Sequence, residues 1–483
     1  MTNRNVQQNH LTYKQLLHNS ENLSASWRKL CTRFLPLIDN NSSWRYSRSA
    51  NPDDAEQGWK LHISATILTA CEVLEKVAPF LISRGLQFKA PASLQLLLRL
   101  SNGLSYGYTQ VGKFLTVYPR NVNEAVSVAR RLHRLTAGMP APAVPFDLQY
   151  YPDSCVYYRY GAFKRRETEI LGEYQIPTIR DLSGSFVPDS REEAKPSWVD
   201  DPFQPVSRSK NPLSEKIETP FEKTYHIFRA LKQRGKGGVY QAIDIRGANE
   251  PRLCIIKEGR RHGEVGWDGC DGFQMVKREA EVLRAMQTSK VGTPHLYSTF
   301  EVDGNYYLAA EFIEGNNLEQ LMQPRKRRFS VKQVLKYSRQ IAELLNRIHS
   351  AGWVWRDCKP ANLIVTKDGC SLRPLDFEGA CRINQPNASG WKTIEFSAPQ
   401  SRNLYSNLAI EAEDIYSFGA VIYYLLTGKI YQPDSPLPVR SVRRRVPQEF
   451  QEIIEKMLVL PVQKKRPPAK SLVREFDKLL FNA

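Results

Sequence analysis

Two short strings, WRDCKPANLIV (355–365) and LDFEG (375–379), hold residues that can move a phosphoryl group. Asp357 is spaced to orient a substrate hydroxyl and accept its proton, and Lys359 to neutralise the phosphate in transfer. Asn362 and Asp376 add an amide oxygen and a carboxylate, the donors Mg²⁺ takes when it bridges nucleotide phosphates. A second set is scattered through the N-terminal third: Lys60 and His62 in QGWKLHISAT, Lys89 in QFKAPAS, Lys113 and Arg120 in GKFLTVYPR, and Arg159 in VYYRYGAF. On an extended segment Lys60 and His62 project to one side. One histidine among several cations, with few acids between, suits β-elimination of phosphate from phosphoserine or phosphothreonine. A neutral lysine removes the Cα proton, the histidine protonates the departing phosphate, and the cations hold it. From spacing alone, such a Lys-x-His pair is more often a surface pair.

The elements that must position the first set can be read in order. ALKQRGKGGVYQA lies where a glycine-rich loop covers phosphates; Lys232 and Arg234 take two of the usual glycine places, leaving Gly235, Gly237 and Gly238 to supply the freedom. CIIKEG puts Lys257 on a strand as the phosphate lysine, and KREAEVL puts Glu279 on the next helix as its partner. YYLAAEFIEG reads as the strand and hinge beside a purine, with Glu311 and Ile313 on the hinge. DIYSFG, with Asp414, matches the helix that anchors the catalytic loop, and Arg466 the late arginine that pairs with the end of the activation segment. These strings resemble the protein kinases. Three positions depart from that pattern: Trp355 for histidine, Glu378 for glycine, and Gln400 for the glutamate expected opposite Arg466. The aromatic exchange at Trp355 is compatible with activity because that histidine is structural. Thr393 and Ser389 are candidate phosphorylation switches.

With 483 residues, 41% of them hydrophobic, the chain can bury two or three cores. Three parts are expected: 1–165, mixing helices with strands; 166–222, of linker composition but with aromatic residues that suggest packing; and the kinase-like 223–483. In the first part, Ser64–Val77 reads as a helix, and FLTVYP and CVYYRYGAF as strands. No run of about 18 apolar residues occurs, so no membrane partner is expected, and the polar N-terminus lacks a signal-peptide core. Eight cysteines without metal spacing suit reduced thiols in a cytoplasm. The net charge of +18, with clusters at 325–328, 443–445 and 464–466, favours anionic partners such as nucleotide or an acidic or phosphorylated peptide. No nucleic-acid recognition motif accompanies it.

The strings QGWKLHISAT, FKAPAS, GKFLTVYP and VYYRYGAF, then PSWVDDPF, then a kinase, resemble the class III lanthipeptide synthetases from about Trp44 onward. The resemblance implies an α+β, multidomain fold: a phosphothreonine-lyase-like domain followed by a two-lobed kinase. It implies ATP or GTP with Mg²⁺, and a ribosomal precursor peptide with its leader. It implies Lys89 as base, His62 as acid, and Lys60, Lys113, Arg120 and Arg159 around the phosphate. The chain stops at Ala483, just after the last kinase helix expected, so a separate cyclase or decarboxylase is the expected further partner. The competing expectation is a signalling Ser/Thr kinase whose N-terminal domain only recognises phosphopeptide.

Overall fold

The structure, a computed structural model, describes residues 13–52, 54–164, 167–170, 174–203, 223–246, 251–323, 329–385, 393–399, 410–458 and 466–482. Ser389, Gln400, the basic stretch 325–328 and residues 464–465 lie outside them.

The first part is built on a seven-stranded antiparallel sheet: β1 (Leu37–Ile38), β2 (Trp44–Tyr46), β3 (Gln57–Ile63), β4 (Gln87–Pro91), β5 (Leu115–Tyr118), β6 (Leu148–Gln149) and β7 (Val156–Ala162). Their order in space is β1-β2-β4-β5-β3-β7-β6. Side chains alternate between its two faces. Leu61, Ile63, Phe88, Ala90, Leu115, Val117, Val156 and Tyr158 enter a core completed by helices α1 (Tyr13–Phe34), α2 (Ala70–Ser83) and α4 (Val122–Leu135). The opposite face carries Lys60, His62, Lys89, Thr116 and Arg159, the residues in alternate register. Helix α3 (Leu94–Asn102) follows β4; the Ser93 side chain caps its start and Gly103, at φ 77°, ends it.

The expected helix at Ser64–Val77 forms later, at α2. The Ser64 amide still extends the β3–β7 pairing, donating to the Cys155 carbonyl at 2.7 Å, and a Thr66–Thr69 hydroxyl turn fills the gap before Ala70. The stretch read as linker also contains structure. Strands β8 (Glu167–Ile170), β9 (Tyr174–Arg180) and β10 (Phe186–Pro188) form a small sheet. Beyond it Phe203 stacks on Tyr158 at 4.0 Å and joins the first core.

The kinase part has two lobes. A five-stranded antiparallel sheet runs in the order β11 (Tyr225–Arg234), β12 (Gly237–Asp244), β13 (Arg252–Gly259), β15 (Asn305–Glu311), β14 (Leu296–Val302). Against it lies α5 (Gly272–Thr288), started by a reciprocal Asp271–Gln274 capping box. The second lobe is helical, around α6 (Leu318–Met322), α7 (Val331–Ser350), α8 (Glu411–Thr427), α9 (Gln448–Leu458) and α10 (Ala469–Phe481), with one large core. Among the described residues no helix is long and apolar enough to cross a membrane. All eight cysteines are free.

Candidate active sites

The strand pairing brings the scattered cations together. Lys89 on β4 pairs with Thr116 on β5, and Thr116 pairs with His62 on β3, so the three form one row across adjacent strands. Two strand spacings separate Lys89 from His62 by about 10 Å of backbone, and the Lys89 ammonium lies over Trp44 on the β2 side of its strand. Lys60 pairs with Arg159 on β7 in the next row. Lys113, in the turn before β5, reaches the same place through a residue that spacing did not show. Asp147, just before β6, holds His62 Nδ1 at 2.5 Å with one oxygen and Lys113 Nζ at 3.0 Å with the other. Its side chain is wholly buried. Asp189, beyond β10, plays the equivalent part for Arg159, at 2.7 Å, and the Ser190 carbonyl accepts from the same nitrogen.

Arg120 is not brought to this site. It lies past the far end of β5 from Lys113, bound to Glu124 one helical turn on, with the Arg84 carbonyl as a further acceptor. The seven positions from Lys113 to Arg120 span about 20 Å when extended, which carries Arg120 to the opposite rim of the sheet.

Burial and like charge set the protonation of this face. Burial lowers Lys60 to about 7, with Arg159, Lys89 and Lys113 pushing the same way against Asp189. Burial lowers Lys89 to about 8, helped by Arg191; its ammonium lies 4.4 Å from the centre of the Trp44 ring. Lys113 is lowered too, again chiefly by burial. His62 falls to about 4 through burial, aided by Lys113 and Lys60, even though Asp147 opposes the shift. Asp147 stays ionised, held at about 2 by His62 and Lys113 against its burial. This face therefore holds lysines that are partly neutral near pH 7 and a neutral imidazole. A phosphate dianion would restore the proton to His62.

The kinase site is organised around carboxylates. Lys257 Nζ lies 2.6 and 2.8 Å from the two oxygens of Glu279 and 3.4 Å from Asp376. Asp357 accepts from Lys359 at 2.9 Å and from Asn362 at 2.7 Å. The Thr393 hydroxyl donates to the other Asp357 oxygen at 2.8 Å and meets Lys359 at 3.0 Å. Thr393 is thus part of the catalytic cluster. The loop is anchored by buried Asp414, which accepts from the Trp355 and Arg356 amides at 2.8 and 2.6 Å and meets His349 at 2.9 Å. Arg356 and Asp376 both have positive φ, 67° and 62°, strain concentrated beside the reacting groups.

Two of the departures from the kinase pattern, Trp355 and Glu378, have physical accounts; Gln400 lies outside the described residues. The Trp355 indole N–H donates to the Asp376 carbonyl at 2.9 Å and its ring stacks on Phe377, doing a structural histidine's work. Glu378 forms an ion pair with Lys236, at the tip of the glycine-rich turn. Arg466 donates to the Ala412 carbonyl at 2.9 Å and lies over Tyr416. Glu311 closes β15 and binds Arg373 of the helical lobe at 2.9 Å, so the hinge is fixed to both lobes through that side chain; Ile313 is buried beside it. Of the three turn glycines, Gly235 gives its amide to the Asn102 carbonyl of the first part at 3.1 Å. Gly237 lies close against the Glu258 carbonyl and Gly238 against the Tyr240 ring. Carboxylate oxygens of Asp376, Glu279 and Glu378 lie within 4.8 Å of one another. Glu279 and Glu378 are paired with Lys257 and Lys236. Asn362 gives its amide N–H to Asp357 and keeps its amide oxygen as a hard donor that, with the Asp376 carboxylate, fits Mg²⁺.

Comparison with known families finds a match over each part of the chain. A protein kinase domain model matches residues 228–482. The chain belongs to the protein kinase family. Ahead of this kinase, residues 37–213 match the RamC N-terminal domain, and the two together are the pairing of a class III lanthipeptide synthetase. The kinase chain is 29% identical to the probable SapB synthase of Streptomyces coelicolor over 80% of its own length and 42% of the relative's. It is 28% identical to serine/threonine-protein kinase F of Synechocystis over 50% of its own length and 52% of that relative's. The chain therefore spans about half, or less, of the curated relatives it matches.

Proposed function

We propose that this chain is a two-step dehydratase of a ribosomal precursor peptide. The kinase part phosphorylates Ser or Thr, and the N-terminal part eliminates the phosphate to leave dehydroalanine or dehydrobutyrine. The row Lys89–Thr116–His62, on the same chain as a complete kinase cluster, is the observation that carries this reading.

A nucleoside triphosphate, ATP or GTP, with Mg²⁺ supplies the γ-phosphoryl group and the charge that balances it in transfer. Asp376 and Asn362 would hold the metal, and Lys257, fixed by Glu279, the nucleotide phosphates; Gly237 and Gly238 lie beside them in the turn, and Glu311 and Ile313 flank the purine. Asp357 orients the peptide hydroxyl and takes its proton, while Lys359 offsets the charge on the moving group. In the second step Lys89 Nζ removes the Cα proton. The Cα–Cβ double bond forms as the Cβ–O bond breaks, and the electron pair leaves on phosphate, which His62 protonates through Nε2. Asp147 keeps Nδ1 occupied and so aims Nε2 at the phosphate. Lys60, Lys113 and Arg159 hold its oxygens. Eight free thiols suit a reducing cytoplasm.

The test is mass spectrometry of a Ser/Thr-bearing precursor peptide incubated with ATP or GTP and Mg²⁺. A loss of about 18 Da per site is expected, one water by net phosphorylation and elimination. A wild-type product that stops about 80 Da heavier, at the phosphopeptide, would instead support a signalling kinase with a phosphopeptide-recognition domain.

A further inference from the structure

The two parts of the chain meet at the turn that covers the kinase's phosphate site. Between β11 and β12 lie Gly235 and Lys236. The Gly235 amide donates to the Asn102 carbonyl at the end of α3, and a Cβ at Gly235 would overlap the Ser101 carbonyl. Glycine is required by this approach of two main chains from different parts of the molecule. The Asn102 side-chain amide donates to Glu264, in the loop between β13 and α5. Arg260 of that loop binds the Tyr108 hydroxyl and lies over its ring. Arg260 also gives its amide to the Lys236 carbonyl at 2.8 Å. The turn is therefore gripped from outside by α3 and from inside by the kinase's own loop.

This grip aims one side chain. The Lys236 side chain is largely buried and its ammonium pairs with Glu378, two residues from Asp376. It feels the charges of both Asp376 and Lys257. Lys236 thus projects into the space where Lys257 and Asp376 converge. A turn whose first amide is already given to α3 offers phosphate fewer main-chain donors than a free glycine-rich loop, and an ammonium at its tip replaces them.

We propose that Lys236 is a second phosphate-binding lysine of the kinase, and that the end of α3 positions it through Gly235. Glu378 is its counter-ion until nucleotide phosphate takes that place. The proposal rests on the kinase half of the function given above but not on the elimination step. Ser101 and Asn102 are positioning residues: they touch the turn, not the nucleotide.

The experiment measures binding of a non-hydrolysable ATP analogue with Mg²⁺ to the full chain by calorimetry, together with KM and kcat for peptide phosphorylation. Lys236→Met is expected to weaken binding and raise KM roughly tenfold, and Lys236→Arg to restore most of it. Gly235→Ala, whose Cβ forces the turn away from α3, is expected to weaken binding similarly while elimination from a synthetic phosphopeptide is retained. Lys236→Met that binds the analogue as the wild type does would overturn the assignment. Gly235→Ala that binds normally would overturn the positioning by α3. Wild-type chain that fails to bind any nucleotide would overturn this inference and the kinase step together, whereas failure of elimination alone leaves the binding result intact.

Discussion

The two clusters use the same residue types at similar depth and reach opposite electrostatic states. On the N-terminal sheet, Lys60, Lys89, Lys113 and Arg159 outnumber Asp147 and Asp189, and burial wins: Lys60 falls to about 7 and Lys89 to about 8. In the kinase cleft, Glu279, Asp376 and Glu378 surround Lys257, which is held well above its ordinary value by their charge against its burial. A buried lysine becomes a base where cations crowd it and a fixed clamp where carboxylates do. On the proposed reading, one set adds a phosphate and the other removes it, provided the local excess of charge keeps its sign.

The strongest way to break that contrast is to remove one reacting group from each side. Asp357→Asn should lower peptide phosphorylation roughly 10³-fold and leave elimination from a synthetic phosphopeptide untouched. Lys89→Ala should do the reverse, stalling the precursor about 80 Da heavy at the phosphopeptide. If either variant impaired both steps equally in mass spectrometric time courses, the separation of roles would be lost. Next in size is Asp147→Asn, which keeps the shape but frees Nδ1 of His62 and removes the counter-ion of Lys113. Elimination should fall roughly 10²-fold with phosphorylation unchanged; an unaltered rate would show that His62 needs no aiming.

The protonation contrast is sharpened by pH. At saturating phosphopeptide, where bound phosphate keeps His62 charged, elimination needs neutral Lys89. Its kcat should rise with pH through a midpoint at or above about 8, because burial lowers the lysine to that value and phosphate raises it again. Flat kcat on both sides of that midpoint would exclude Lys89 as the group losing the proton. The smallest effect belongs to Arg120→Ala. Its exposed pair with Glu124 is worth about 0.3–0.5 kcal/mol, and elimination should change less than about twofold. A larger drop would return Arg120 to the phosphate site.

Legibility in the sequence followed how local each cluster is. The catalytic loop and LDFEG keep their reacting groups within a few residues of one another, so spacing alone located Asp357, Lys359, Asn362 and Asp376. The N-terminal cations sit on four separate strand regions and meet only through the β4–β5–β3–β7 order, which composition does not encode. Asp147 was invisible for that reason: an acid in PFDLQYYP has no spacing relation to His62, and only the return of β6 beside β7 brings it near. Arg120 misled because it shares a string with Lys113, although the strand between them carries the two to opposite rims. The helix boundary slipped because Ser64 continues a strand ladder that periodicity cannot see. The grip on Gly235 needed both parts of the chain in place.

Trp355 has a consequence for how this kinase responds to acid. A histidine there would carry a proton whose presence changes near pH 6.5, and its hold on the metal-binding loop would depend on tautomer. The indole N–H neither gains nor loses a proton in the physiological range, so its 2.9 Å hydrogen bond to the Asp376 carbonyl needs no change of protonation at this position. Proton uptake at position 355 therefore plays no part in seating the LDFEG loop.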